Sequence, residues 1–137
     1  MQPLFGVLPS GFHMVGEDAY LAPNAALHLG LALHELAIDS LARGALGPGG
    51  GTVELAAEER SNDSNEPELV VTWTETFAGP LSEQDIAASQ SPGFSRTVLG
   101  RVVPQALSAE VHHELVSDRM VYQLTIPESQ YEVRFKH

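Results

Sequence analysis

Apolar residues return at helical spacing through residues 25–43, AALHLGLALHELAIDSLAR. Leu29, Leu33, Leu36, Ala37 and Ser40 fall on one face of such a helix, the face a core would cover. Glu35 and Asp39 stand one turn apart on roughly the opposite side, with His28 and Ala42 nearby. Pro23 suits a helix start and Asn24 is placed to cap it, while Gly44 and the run GPGGG at 47–51 stop it. The period then changes to two. TVELAAEE (52–59) alternates like a strand, RSNDSNEPE (60–68) reads as a hairpin loop, and LVVTWTE (69–75) is a β-branched strand with Leu69, Val71, Trp73 and Glu75 on one face.

Residues 76–92 are small and polar without a sustained period, which predicts a long loop. Val98, Leu99, Val102, Val103 and Ala106 form the apolar stripe of a second helix, kinked or cut short by Pro104. AEVHHELVS (109–117) and RMVYQLTIP (119–127) are two strands around a tight turn at Ser117-Asp118. At the start, residues 1–10 are a lead-in and 11–21 hold a short strand and a turn; at the end, 128–137 form a tail that frays. Helices interspersed with hairpins predict an α+β fold: a two-layer α/β sandwich with a mixed, mostly antiparallel sheet and helices on one face. Residues 1–137 read as a single domain without internal repeats.

Composition narrows the function classes. A chain of 137 residues, 43% hydrophobic, builds one real core. The absence of cysteine excludes a disulfide scaffold and a thiolate metal site. A net charge of −11 disfavours nucleic-acid backbones and anionic membrane surfaces. An anionic ligand such as ATP then needs a cation, a helix N-terminus or backbone amides. The opening MQPLFGVLPSGF lacks the basic and apolar regions of a signal peptide, so the expected location is cytoplasmic.

Three short stretches carry candidate chemistry. LHELAIDSLARGAL (33–46) resembles the N box of the HWE family of histidine kinases, H-E-L-A-x-N-A-x-K-Y-G-A-L, through His34, Glu35, Leu36, Ala37, Gly44, Ala45 and Leu46. WTE (73–75) resembles the family's W-x-E element, and GFSRTVL (93–99) its following G-F-G-[ST]-x-L-I element. The three stand in the family's order, and the similarity runs over about residues 11 to 127.

The resemblance implies a Bergerat-type ATP-binding domain, the catalytic half of a sensor kinase in two-component signalling. Glu35, the candidate catalytic residue, and Asp39 are implied to face Mg²⁺ and the phosphates, with Arg43 beside them. Glu75 is implied to face adenine, with Gly79 next to it; Gly93, Phe94 and Ser95 are implied to approach the phosphates. The implied cofactors are ATP and Mg²⁺. The implied partners are a dimerisation and phosphoacceptor domain, absent from this sequence, or a response-regulator receiver domain.

Departures from the family pattern point to a degenerate site. Asp39 stands for Asn, Ala42 for Lys, Arg43 for Tyr and Ser95 for Gly; FAGP (77–80) follows Glu75 where G-G-P is usual, and LSA (107–109) stands for L-G-G. The alternative reading is a kinase-like domain that docks a response regulator or partner kinase without binding ATP. Plainer readings also stand: Glu35 and Asp39 as a solvated helix face, Trp73 as core, His34 as a structural hydrogen-bonding group. His112 and His113, adjacent in a strand, point to opposite faces and do not share a metal.

Overall fold

The computed structural model describes residues 2–3, 13–16, 20–43, 45–46, 50–79, 97–116 and 118–132. Alternation of apolar and polar residues builds the longest pairing, between β4 (Gly51–Ser61) and β5 (Pro67–Phe77), in register from Gly51↔Phe77 to Ser61↔Pro67. The strands are longer than sequence suggests because their turn is tight. The Asn62 side-chain oxygen accepts from the backbone N–H of Ser64 (2.8 Å) and Glu66 (3.0 Å), and Asn65 takes a left-handed φ of 63°. At the other end Gly51 is required: its φ is 141°, and a Cβ there meets the Thr76 carbonyl oxygen at 2.2 Å.

β7 (Arg119–Pro127) pairs antiparallel with β5, and β6 (Glu110–Leu115) with β7. β2 (His13–Gly16) joins parallel to β4, so the sheet runs β2-β4-β5-β7-β6. Parallel pairing needs a crossover between the two strands. Helix α1 (Pro23–Arg43) supplies it. One face of the sheet is apolar. Val53, Leu55, Ala57, Leu69, Val71, Trp73, Tyr122, Leu124 and Ile126 are buried there in one cluster with Leu29, Leu33 and Leu36 of α1. The result is the expected α+β sandwich with helices on one face.

A second helical segment lies beside α1. It starts as a π-helical turn, Val98–Val102, and continues as α2, Val103–Leu107. Pro104, in the first turn of α2, has no N–H to give to either the α or the π pattern. The Val103 N–H reaches back to the Val98 carbonyl, and the next π-type bond, from residue 104 to Leu99, has no donor. The buried Tyr122 hydroxyl takes that place, donating to the Leu99 carbonyl at 2.6 Å. Val98, Leu99, Val103, Pro104 and Leu107 are buried. Val102, expected in the stripe, is instead 40% exposed, because the wider π turn rotates it outward.

Two local expectations are corrected. Asn24 lies inside the first turn of α1 rather than capping it, and its amide donates to the Ala106 carbonyl at 2.8 Å, tying α1 to α2. The tail is anchored as far as residue 132. A 3₁₀ turn, Glu128–Gln130, leads to β8 (Tyr131–Glu132), which pairs with β3 (Tyr20–Leu21). β1 (Gln2–Pro3) adds to the other side of β3, completing a small sheet that sequence periodicity did not reveal. Tyr131 is buried, and its hydroxyl donates to Glu59 Oε2 at 2.8 Å.

Candidate functional site

Two polar residues interrupt apolar faces, and the fold brings them together. Glu75 is the last fully buried residue of β5 and is 2% exposed; Ser40 sits on the buried stripe of α1 and is 1% exposed. Ser40 Oγ donates to Glu75 Oε1 at 2.7 Å, and the Ala45 N–H donates to the same oxygen at 3.1 Å. Trp73 Nε1 donates to Glu75 Oε2 at 2.9 Å, from two residues earlier on the same face. Ser40 Oγ in turn accepts from the Leu46 N–H at 3.0 Å. A buried carboxylate is thus held by donors from helix, turn and strand, as a buried charge must be. The arrangement fastens the end of α1 and the turn after it to the centre of the sheet.

Glu35 and Asp39 lie beside this latch on α1. The expected placement opposite the core is corrected here: Glu35 is only 9% exposed and Asp39 is half-buried. At about 100° per residue, both fall on the shoulder of the buried stripe, next to Ala32 and Leu36. The side of α1 opposite the core carries exposed Leu27, His34, Ile38 and Leu41, while Leu31 is half-buried and packs against the core. Two carboxylates one turn apart on a helix shoulder present oxygen ligands of the kind Mg²⁺ takes. No group of three or more His, Cys, Asp or Glu able to hold a metal occurs among the described residues. A Mg²⁺ ion held by Glu35 and Asp39 would draw its remaining ligands from phosphate and water rather than from a closed protein cage.

The other candidates fall as follows. Gly79 is exposed, with open space where a Cβ would stand. Phe77, in place of a family glycine, is packed partly against the core, and Ala78 is exposed with its N–H on the Gly50 carbonyl. Arg43 closes α1, and its side chain lies outside the described residues, as do Gly93, Phe94 and Ser95. Ser108, matched to a glycine of L-G-G, ends α2 with a left-handed φ of 53°, so the family's glycine there answers a backbone demand. His113 packs edge-on against Tyr122 with ring centroids 5.3 Å apart, while His112 on the other face approaches Glu114 at 3.8 Å. A polar groove lined by Arg60, Asn62, Glu66, Glu68 and Glu128 opens at the far end of β5 from Glu75.

Solved structures share this architecture. The histidine kinase domain from Erythrobacter litoralis EL346 blue-light activated histidine kinase matches with a TM-score of 0.61 and 22% identity, over 88% of this chain and 57% of that one. The catalytic domain of histidine kinase ThkA matches at 0.55 and 14% identity, over 85% of this chain and 78% of that one. The fold is that of a histidine-kinase catalytic domain. A mycobacterial sensor histidine kinase, MprB, matches at 0.53 and 14% identity, over 85% and 80% of the two chains. The chain spans 57% of the E. litoralis kinase domain and 35% of a longer structure of that kinase. No family model and no curated protein matches the sequence. In this histidine-kinase fold no described helix is long and apolar enough to cross a membrane.

Proposed function

We propose that this chain is the ATP-binding catalytic domain of an HWE-type sensor histidine kinase, working in the cytoplasm with a weakened nucleotide site. The observation that carries the reading is the carboxylate pair on the shoulder of α1, within the shared fold and beside Glu75. Glu35 and Asp39 would hold Mg²⁺ against the phosphates of ATP. Bound Mg²⁺ neutralises phosphate charge, which a chain of net charge −11 cannot do by itself. The protein's part is positioning: α1, pinned by Ser40 to Glu75, fixes the two carboxylates relative to the sheet. The γ-phosphoryl group would pass to a His on a dimerisation and phosphoacceptor domain. Weakening follows from Asp39, one more negative charge than Asn beside phosphates, and from Ala42 in place of Lys.

Calorimetric titration with Mg-ATP, with ADP as control, tests this reading. Binding between about 1 µM and 1 mM is expected, corresponding to about 4 to 8 kcal/mol. The double change Asp39→Asn with Ala42→Lys should improve affinity for ATP more than for ADP. Absence of heat in both the parent and the restored variant would falsify the assignment.

A second reading draws on Glu75. Its two oxygens already accept from Ser40, Ala45 and Trp73, so adenine would have to compete with internal donors. This favours a kinase-like module that docks a receiver domain and binds no nucleotide. It predicts no heat with Mg-ATP, together with chemical-shift changes on titration with a receiver domain.

A further inference from the structure

Ser40 breaks the buried stripe of α1, and its hydroxyl has a single proton to give. The Leu46 N–H occupies one acceptor position on Oγ at 3.0 Å, and the proton goes to Glu75 Oε1 at 2.7 Å. With the Ala45 N–H at 3.1 Å, both acceptor positions of Oε1 are filled from inside the protein. Oε2 takes the indole N–H of Trp73 at 2.9 Å. Burial closes what is left of Oε2, since Glu75 and Trp73 are 2% and 1% exposed. Phe77, the next residue outward on that face of β5, packs partly against the core and adds bulk between Glu75 and the end of the strand. The N-box pattern H-E-L-A-x-N-A-x-K-Y-G-A-L has Ala at position 40, and Ala has no hydroxyl to give.

We infer that Ser40 sets nucleotide specificity: by holding the Glu75 carboxylate within the fold, its hydroxyl makes binding at the Glu35 and Asp39 shoulder indifferent to the base. This rests on the reading of Glu35 and Asp39 as Mg²⁺ ligands, and it names their ligand class as Mg²⁺-triphosphates in general rather than ATP in particular. An ionised carboxylate only accepts hydrogen bonds. Facing position 6 of a purine, it accepts from the amino group of adenine and repels the keto oxygen of guanine. A free Glu75 would thus separate ATP from GTP, since a hydrogen bond to a charged group is worth roughly tenfold to a hundredfold in affinity. Here the carboxylate already has three internal donors. Taking up adenine means giving up one of them, and exchanging one hydrogen bond for another returns little affinity. A Mg²⁺ ion on the shoulder meets only phosphate oxygens, which ATP, GTP and inorganic tripolyphosphate share.

Titration calorimetry of the whole chain with Mg-ATP, Mg-GTP and Mg-tripolyphosphate tests this. In the parent the three dissociation constants should agree within about fivefold. Ser40→Ala frees an acceptor position of Glu75 Oε1 and should raise the preference for ATP over GTP by about fivefold or more. Trp73 gives an independent readout, because it is the chain's single tryptophan and its indole N–H rests on Glu75. In the parent its NMR resonance should respond alike to Mg-ATP and Mg-tripolyphosphate; in Ser40→Ala it should respond more strongly to Mg-ATP. Melting curves show whether Ser40→Ala folds, and the comparison within the parent does not depend on it.

A larger preference for ATP in the parent overturns the inference and leaves the shoulder as a Mg²⁺ site intact. So does a parent Trp73 resonance that answers to Mg-ATP but not to Mg-tripolyphosphate, or a folded Ser40→Ala chain whose ratio of ATP to GTP affinity is unchanged. Absence of heat with all three ligands, in the parent and in Asp39→Asn with Ala42→Lys, removes the Mg²⁺ reading of the shoulder and this inference with it.

Discussion

Glu75 shows how a single residue can be legible as important and be read for one role while the fold gives it another. The sequence marks it twice, by its place in W-x-E and as an acid on a strand face that is otherwise apolar. Ser40 carries a matching mark on α1, and two polar intrusions into facing apolar surfaces are a signal of a buried hydrogen bond. Long-range pairing hides which partner each finds, so the latch is visible only in the fold. Glu75→Ala leaves the Trp73, Ser40 and Ala45 donors without their acceptor, and should cost about 3–5 kcal/mol in urea unfolding. Trp73, the chain's single tryptophan, reports the loss through its native-state fluorescence. Tyr122 makes a second test. Its hydroxyl replaces the donor that Pro104 lacks, so Tyr122→Phe strands the Leu99 carbonyl at a cost of about 1–3 kcal/mol. Burial pushes the Tyr122 pKa above the ordinary phenol value of about 10. Its contribution is therefore fully present below pH ~10 and is lost as the unfolded chain ionises above it. Stability measured from pH 9 upward should fall more steeply for the parent than for Tyr122→Phe.

At the scale of elements, periodicity located the long pieces well. α1 runs from Pro23 to Arg43, β4 and β5 pair in the expected hairpin, and β7 matches residues 119–127. What failed was local. The π turn at Val98–Val102 changes the angle per residue, so a stripe drawn at the α-helical period put Val102 on the wrong side. β1, β3 and β8 have two residues each, too few to show a period, and the pairing of β3 with β8 joins positions more than 100 residues apart. The L-G-G comparison also gains a meaning here, since Ser108 sits where the backbone is left-handed. Ser108→Gly should stabilise the end of α2 by up to about 1 kcal/mol, seen as a raised urea midpoint with unchanged slope. On α1, Leu27, His34, Ile38 and Leu41 were readable in the sequence as part of the helical pattern. Assigning them to the outside required knowing that Ser40 and Leu36 face the sheet.

For the whole molecule, the order of elements and three motifs were enough to expect a kinase-type sandwich, and the shared architecture with solved histidine-kinase domains agrees with that. The occupancy of the site was not legible, because binding depends on angles and distances that spacing does not encode. A folded-state ligand raises the melting temperature by mass action, so Mg-ATP at saturating concentration should shift it upward by several degrees if the proposed site works. The small sheet has a mechanical consequence. β3 lies between strand residues from the start of the chain and strand residues from its end, and α1 begins one residue after β3, where the Ala22 N–H donates to the Gln130 carbonyl at 3.0 Å. Tension applied through either side is therefore delivered to the foot of the helix that bears both carboxylates, so any neighbouring segment joined there has a short lever on the site.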